Sequence, residues 1–129
     1  EAELAAAERA GKVPLVCSHH PWFLDPDHSA ASLALPERPR EHLLSIAADG
    51  GLRTLLAGHI HGNNIDARGS LQQITTTATG LAVQGDPSGY HVLDVYPDRV
   101  ELNARALQSG LDLQAEAELL WQTRGLEVA

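Results

Sequence analysis

Leu55-Leu56-Ala57-Gly58-His59-Ile60-His61-Gly62-Asn63-Asn64 joins a short apolar run to a Gly-His-x-His segment and two asparagines. The run reads as a buried strand, and the small residues after it mark where the strand stops. Residues i and i+2 of an extended segment project from one side, so His59 and His61 are expected to aim at one place. A second apolar run, Val13-Pro14-Leu15-Val16-Cys17-Ser18, also ends in histidine, at His19-His20-Pro21-Trp22. Two strands of one sheet that both end in His at the same edge make a metal site the first expectation, because neutral imidazole is the commonest protein metal ligand.

Between the two runs, Pro39 to Asp49 is predicted to be helical. Pro39 suits a first turn, Leu43, Leu44, Ile46 and Ala47 supply an apolar stripe, and Gly50-Gly51 end it. Strand, loop, helix, strand is the unit of an α/β fold with a parallel sheet, and such sheets bind ligands at the carboxyl ends of their strands. Val13 to Ser18 is predicted to be a buried parallel strand. His20 precedes Pro21 and is biased to extended backbone, so His19 and His20 are expected to face opposite sides, with one of them at the site. Trp22 to Pro36 is a long loop, either a wall of a substrate pocket or a surface connection.

Upstream, Glu1 to Ala10 has high helix propensity and Gly11 suits the C-terminal cap. Downstream, Gly69 to Thr79 is rich in Thr and is not expected to be helical. Gly89 to Tyr96 and Arg99 to Ala106, split by Pro97-Asp98, read as a hairpin with Val92, Val95, Val100 and Leu102 available for a core face. Leu113 to Arg124 is predicted to close the chain as a helix docked through Leu119, Leu120 and Trp121.

Composition bounds the function. At 129 residues the chain is at most one domain. A chain of this size hides roughly two-thirds of its unfolded surface. Only 4% of residues are aromatic, so the core must come from Leu, Val, Ile and Ala. A formal charge of -8 excludes a broad nucleic-acid-binding surface, although local metal ions can reverse the sign at a phosphate site. The single cysteine, Cys17, excludes an intramolecular disulfide and reads as a small buried strand residue. No apolar run approaches the roughly 18 residues of a membrane span. Met is absent, which leads to the expectation of a processed product or a fragment. Localisation is then unreadable from the N-terminus, with a slight lean to the cytoplasm.

Seven histidines are present, at 19, 20, 28, 42, 59, 61 and 91. Two arrangements fit those at the strand ends. In one, His19, His59 and His61 hold a single Zn with an open fourth position. In the other, they form one side of a two-metal site, with carboxylates from elsewhere, of the kind that clamps both oxygens of an in-line phosphoryl displacement. His42 reads as a surface residue, His91 as structural and His28 as a solvated loop residue. Asn63 and Asn64 suit the turn after the strand, and Asn63 is a candidate to orient His61. Trp22 reads as either a pocket-mouth residue or a packing anchor.

The two histidine motifs resemble the last two motifs of the calcineurin-like metallophosphoesterases: a strand ending in His-x-Pro, here His19-His20-Pro21, and the Gly-His-x-His loop, here Gly58-His59-Ile60-His61. Thr75 to Gly80, Gly85 to Tyr90 and Val92 to Val95 resemble the tail of a subgroup that includes single-domain serine/threonine-type phosphatases. The resemblance covers residues 1 to about 108. It implies a four-layer sandwich of two sheets flanked by helices. It also implies hydrolysis of phosphate mono- or diesters by a hydroxide activated between two metal ions (Mn, Fe or Zn). By it, His19 and His59 ligate one metal and His61 the other, with His20 just outside the ligand set. The substrate would be a phosphorylated small molecule or a phosphoprotein.

The family's first three motifs, Asp-x-His, Gly-Asp-x-x-Asp and Gly-Asn-His-Asp/Glu, do not occur in this sequence. They supply the remaining ligands and the leaving-group acid. Residues 1–129 are therefore expected to be the C-terminal part of such a domain, to contain no complete catalytic set, to be inactive alone and to require the N-terminal half as partner. A single-Zn site or a non-catalytic interaction module is the competing expectation.

Overall fold

A computed structural model describes residues 1–96 and 100–107. The order is helix α1 (Ala2–Arg9), strand β1 (Leu15–Cys17), a single 3-10 turn (Ala31–Leu33), helix α2 (Glu37–Asp49), then strands β2 (Thr54–Ala57), β3 (Asn64–Arg68), β4 (Leu71–Thr75), β5 (Gly89–Val95) and β6 (Val100–Ala106). The fold is mixed α/β, with a four-stranded sheet in the order β1-β2-β4-β3 and a separate β5-β6 pair. The predicted helix at Leu113 to Arg124 lies outside the described residues. Among the described residues no helix is long and apolar enough to cross a membrane.

Both helices end in the same device. Gly11 and Gly51 each have φ 63, the left-handed conformation glycine adopts without steric penalty. After α1, Gly11 N–H bonds Glu8 C=O and Lys12 N–H bonds Ala7 C=O. After α2, Gly51 N–H bonds Ala48 C=O and Leu52 N–H bonds Ala47 C=O. This is the Schellman pairing, which closes the last carbonyls and turns the chain sharply into the following strand.

The expected parallel unit is present: β1 pairs parallel with β2 across α2, and β2 also pairs parallel with β4. Strand β3 was not anticipated. It runs antiparallel to β4, joined by the two-residue turn Gly69-Ser70, with Gly69 at φ 58. The expected hairpin β5-β6 forms, with Val92, Leu93 and Val95 facing Asn103, Leu102 and Val100. Val95 is exposed rather than core-facing, while Val92, Val100 and Leu102 are half-buried.

The main core packs Trp22, Phe23, Ala47, Leu52, Leu55 and Leu71, with Val16, Leu43 and Leu44 around it. Trp22 is thus a packing anchor. A buried amide holds it there: Gln73 accepts from Trp22 N–H at 2.6 Å and from Phe23 N–H, and donates to Phe23 C=O. The chain after His19-His20-Pro21 is thereby fixed to the sheet interior.

Strand β1 corrects one expectation. It is an edge strand rather than a buried one: Leu15 and Cys17 are exposed and only Val16 is half-buried. Among the described residues no strand pairs with β1 on its outer side; Leu15 and Cys17 project from one face of the strand and are exposed, while Val16 on the other face packs against the core. Beside it runs a groove of about 360 Å³ lined by Leu4, Pro14, Leu15, Trp22 and Ile46.

Candidate metal centre

The parallel register brings the two histidine motifs together. Cys17 lies opposite Leu56. Two further backbone bonds continue that ladder beyond the strands, from Ser18 N–H to Leu56 C=O at 2.8 Å and from Gly58 N–H to His19 C=O at 3.1 Å. His19 is therefore level with Gly58 and adjacent to His59. The rings meet with His19 Nε2 3.1 Å from His59 Nδ1, one of the two nitrogens carrying the shared proton. His20 joins them, its ring centroid 3.8 Å from that of His59 and 5.1 Å from that of His19. Each of the three offers a nitrogen within 4.8 Å of the others.

Two imidazole nitrogens bound to one tetrahedral Zn at about 2.0–2.1 Å lie about 3.3 Å apart. The 3.1 Å separation in this pair fits that demand without a change of backbone. An ion would take the place of the shared proton. His19 and His20 are exposed and His59 is half-buried, so the group opens to solvent. Among the described residues no carboxylate joins the group.

The Gly-His-x-His segment is not a strand. Strand β2 stops at Ala57, and His59 and His61 have φ 69 and φ 52. The i, i+2 rule for extended chain therefore does not govern their directions. Ile60 N–H bonds Gly58 C=O at 2.8 Å, closing a three-residue turn around His59. Left-handed backbone at a non-glycine residue costs about 1–3 kcal/mol and survives where surrounding contacts over-determine it. Here Ile60, 2% exposed, is packed with Leu24, Ala30 and Ala34, so the residue between the two histidines is locked into the core.

His61 stands outside the three-imidazole group. Its Nδ1 lies 2.8 Å from Leu81 C=O, to which the Nδ1–H tautomer donates. That tautomer leaves Nε2 with its lone pair, and a backbone carbonyl on the far ring nitrogen is the usual support of a metal-ligating imidazole. The alternation argument for His19 and His20 also fails, because β1 ends at Cys17 and both residues lie in bends; both approach His59. His59 is held below the ordinary histidine range, first by desolvation and then by the neighbouring His20, His19 and His61. A depressed proton affinity keeps a lone pair available to a metal toward lower pH.

Asn63 sits behind the turn. Its Oδ1 accepts from Thr77 N–H at 3.0 Å, and its own N–H donates to Asp86 Oδ2 at 2.7 Å. Gln73, Gln84 and Asp86 hold this region; Asp86 falls in a stretch the sequence singles out, Gly85 to Tyr90, and none of the three shows its role there, since each acts across a long stretch of chain. The remaining histidines are placed elsewhere. His91 is half-buried beside Thr76, 3.0 Å from its hydroxyl. His28 Nδ1 accepts from Ala30 N–H at 3.0 Å, and His42 is exposed on α2. Cys17 is exposed, against expectation, because it shares with Leu15 the solvent-facing side of β1.

Neither the family models nor the curated proteins contain a match to this chain.

Proposed function

We propose that residues 1–129 carry the imidazole half of a two-metal phosphoesterase site, in a domain of the calcineurin-like four-layer type. In this reading His19 and His59 hold one ion, and His61 presents Nε2 to the second. The observation that carries the reading is the 3.1 Å approach of His19 Nε2 to His59 Nδ1 at the carboxyl ends of adjacent parallel strands. The Nδ1 bond of His61 to Leu81 C=O supports its role as a ligand through the other nitrogen.

When bound, such ions supply Lewis-acid polarisation of a phosphoryl oxygen and bring the pKa of water toward neutrality. The chain's own contribution is to hold the imidazoles. The parallel ladder fixes the spacing of His19 and His59. The strained turn aims His59 and His61, and the exposed rim leaves room for a phosphate ester. Carboxylates and a leaving-group acid would come from a segment that covers the free edge of β1. Two features support that complement: Val13 and Leu15 are 42% and 37% exposed on the edge, and the adjoining groove is largely apolar in its lining.

A second reading has an observation of its own. The His20 ring lies 3.8 Å from that of His59 between centroids and offers a nitrogen to the same group as His19, so a single ion held by His19, His20 and His59 is also compatible with the rings. Metal stoichiometry separates the readings in a complete protein: two ions for the first, one for the second.

The test is the coding sequence upstream of the Glu1 codon. The phosphoesterase reading expects an Asp-x-His strand end, then Gly-Asp-x-x-Asp, then Gly-Asn-His-Asp/Glu, within one domain length. An unrelated upstream sequence would overturn it. Residues 1–129 alone are expected to hydrolyse neither a phosphate monoester nor a diester at added Mn or Zn.

A further inference from the structure

The turn from Gly58 to Asn63 is closed at its start by its own Ile60 N–H to Gly58 C=O bond and is held at its far end from outside. Segment Leu81–Asp86 lies across it and touches each residue from His61 to Asn63. Leu81 C=O receives His61 Nδ1–H at 2.8 Å. Val83 N–H donates to His61 C=O at 3.1 Å. Gln84 covers Gly62 so closely that a Cβ added there would stand 2.6 Å from Gln84 Cβ. Asp86 Oδ2 accepts from Asn63 N–H at 2.7 Å. Gln84 is itself tied to the loop after β1, since Ser29 Oγ donates to its Oε1 at 2.6 Å.

We propose that Asp86 is a positioning residue for His61, fixing the far end of the left-handed turn so that the imidazole meets Leu81 C=O in one tautomer. Two of the strap's bonds are backbone groups that any sequence supplies. The carboxylate of Asp86 is the charged acceptor among them, and hydrogen bonds to an ionised acceptor are roughly twice as strong as neutral ones. Its aim depends on Gly85, at φ 87, where the chain takes a conformation that side-chain-bearing residues rarely adopt. Asn63 passes the constraint inward, because its Oδ1 receives Thr77 N–H from the chain leaving β4. The turn is thus held at one end by the parallel ladder through Gly58 and at the other by Asp86 through Asn63.

The experiment uses the full 129-residue chain and two readouts. Long-range ¹H–¹⁵N spectra of the metal-free protein report the His61 tautomer and do not depend on any metal. Zinc titration reports affinity and rests on the metal reading. Wild type is expected to show a single Nδ1–H tautomer at His61. Asp86→Ala is expected to lose that signature and to weaken the zinc step that engages His61 Nε2 by about 10–100-fold, the usual effect of removing an outer support of a ligand. Asp86→Asn, whose amide oxygen still accepts from Asn63 N–H, is expected to restore both. An unchanged His61 signature in folded Asp86→Ala overturns the proposal. Should that variant fail to fold, Gly62→Ala displaces the strap from the other side through Gln84 and must disturb His61 in the same way; an unchanged His61 there also overturns it. If wild type binds no zinc, the metal reading fails, and the tautomer readout still decides the role of Asp86.

Discussion

The ends of β1 and β2 each deliver histidine to the same place, and they are built in opposite ways. β2 is central in the sheet, with Leu55 fully buried, and its end is a strained turn fixed by a packed Ile60 and an overlying strap. β1 is an edge strand with Leu15 and Cys17 in solvent. Its end is fixed by fewer devices: the ladder to Gly58 and the clamp of Gln73 on Trp22 and Phe23. The contrast teaches that one imidazole pair can be assembled from unequal supports: His59 and His61 are held by many contacts around a strained turn, and His19 by the ladder to Gly58 and the clamp behind it, with His19 and His20 on an exposed rim.

The largest expected effect breaks the buried side. Leu55→Ala should destabilise the chain by about 3 kcal/mol, the usual cost of truncating a fully buried leucine, read from denaturant unfolding. Gln73→Ala comes next. It strips hydrogen bonds from buried Trp22 and Phe23 backbone groups, and should cost about 2 kcal/mol; a smaller effect on zinc affinity is expected through His19. Leu15→Ala on the edge should cost about 1–2 kcal/mol, less than Leu55→Ala, because Leu15 is 37% exposed where Leu55 is fully buried. A loss as large as that of Leu55→Ala would mean that β1 is covered in solution, which sedimentation of the isolated chain would reveal as self-association.

The smallest effect is one of pH. His91 is held below the ordinary histidine range, chiefly by desolvation, with Asp86 opposing. Its folded proton affinity is thus below its unfolded one, so the unfolded chain binds the proton first as pH falls. Its contribution to stability is present above the unfolded value near 6.5 and is lost as pH drops through the folded value. His91→Gln should flatten the melting temperature between pH 7 and 5; an unaltered slope would remove His91 from the account.

Much of this comparison is legible in the sequence. Two apolar runs each ending in His, with a helix and Gly-Gly between them, dictate parallel strands with histidines at one edge. Gly11 and Gly51 mark the helix ends because only glycine takes the required φ cheaply. Strand β3 was hidden because Asn64-Ile65-Asp66-Ala67-Arg68 has little intrinsic strand preference, and Ile65 is 53% exposed; pairing with β4 imposes the conformation. The exposure of β1 was hidden because an apolar run does not say whether both of its faces are covered. In the site, the meeting of His19 and His59 was legible from strand register. The approach of His20 was not, because alternation applies only while the chain stays extended. The strap was illegible since each of its contacts joins segments about 20 residues apart and has a backbone group or a lone polar side chain as partner, which leaves no local pattern.

The central claim is that His19 and His59 form a preorganised metal-holding pair, and zinc titration of the chain with single histidine substitutions tests it most directly. The account predicts that His19→Ala and His59→Ala each weaken zinc by more than about 100-fold, beyond the range for an outer support, while His42→Ala on α2 changes nothing. Wild-type affinity retained in His59→Ala, with the fold intact, would contradict it.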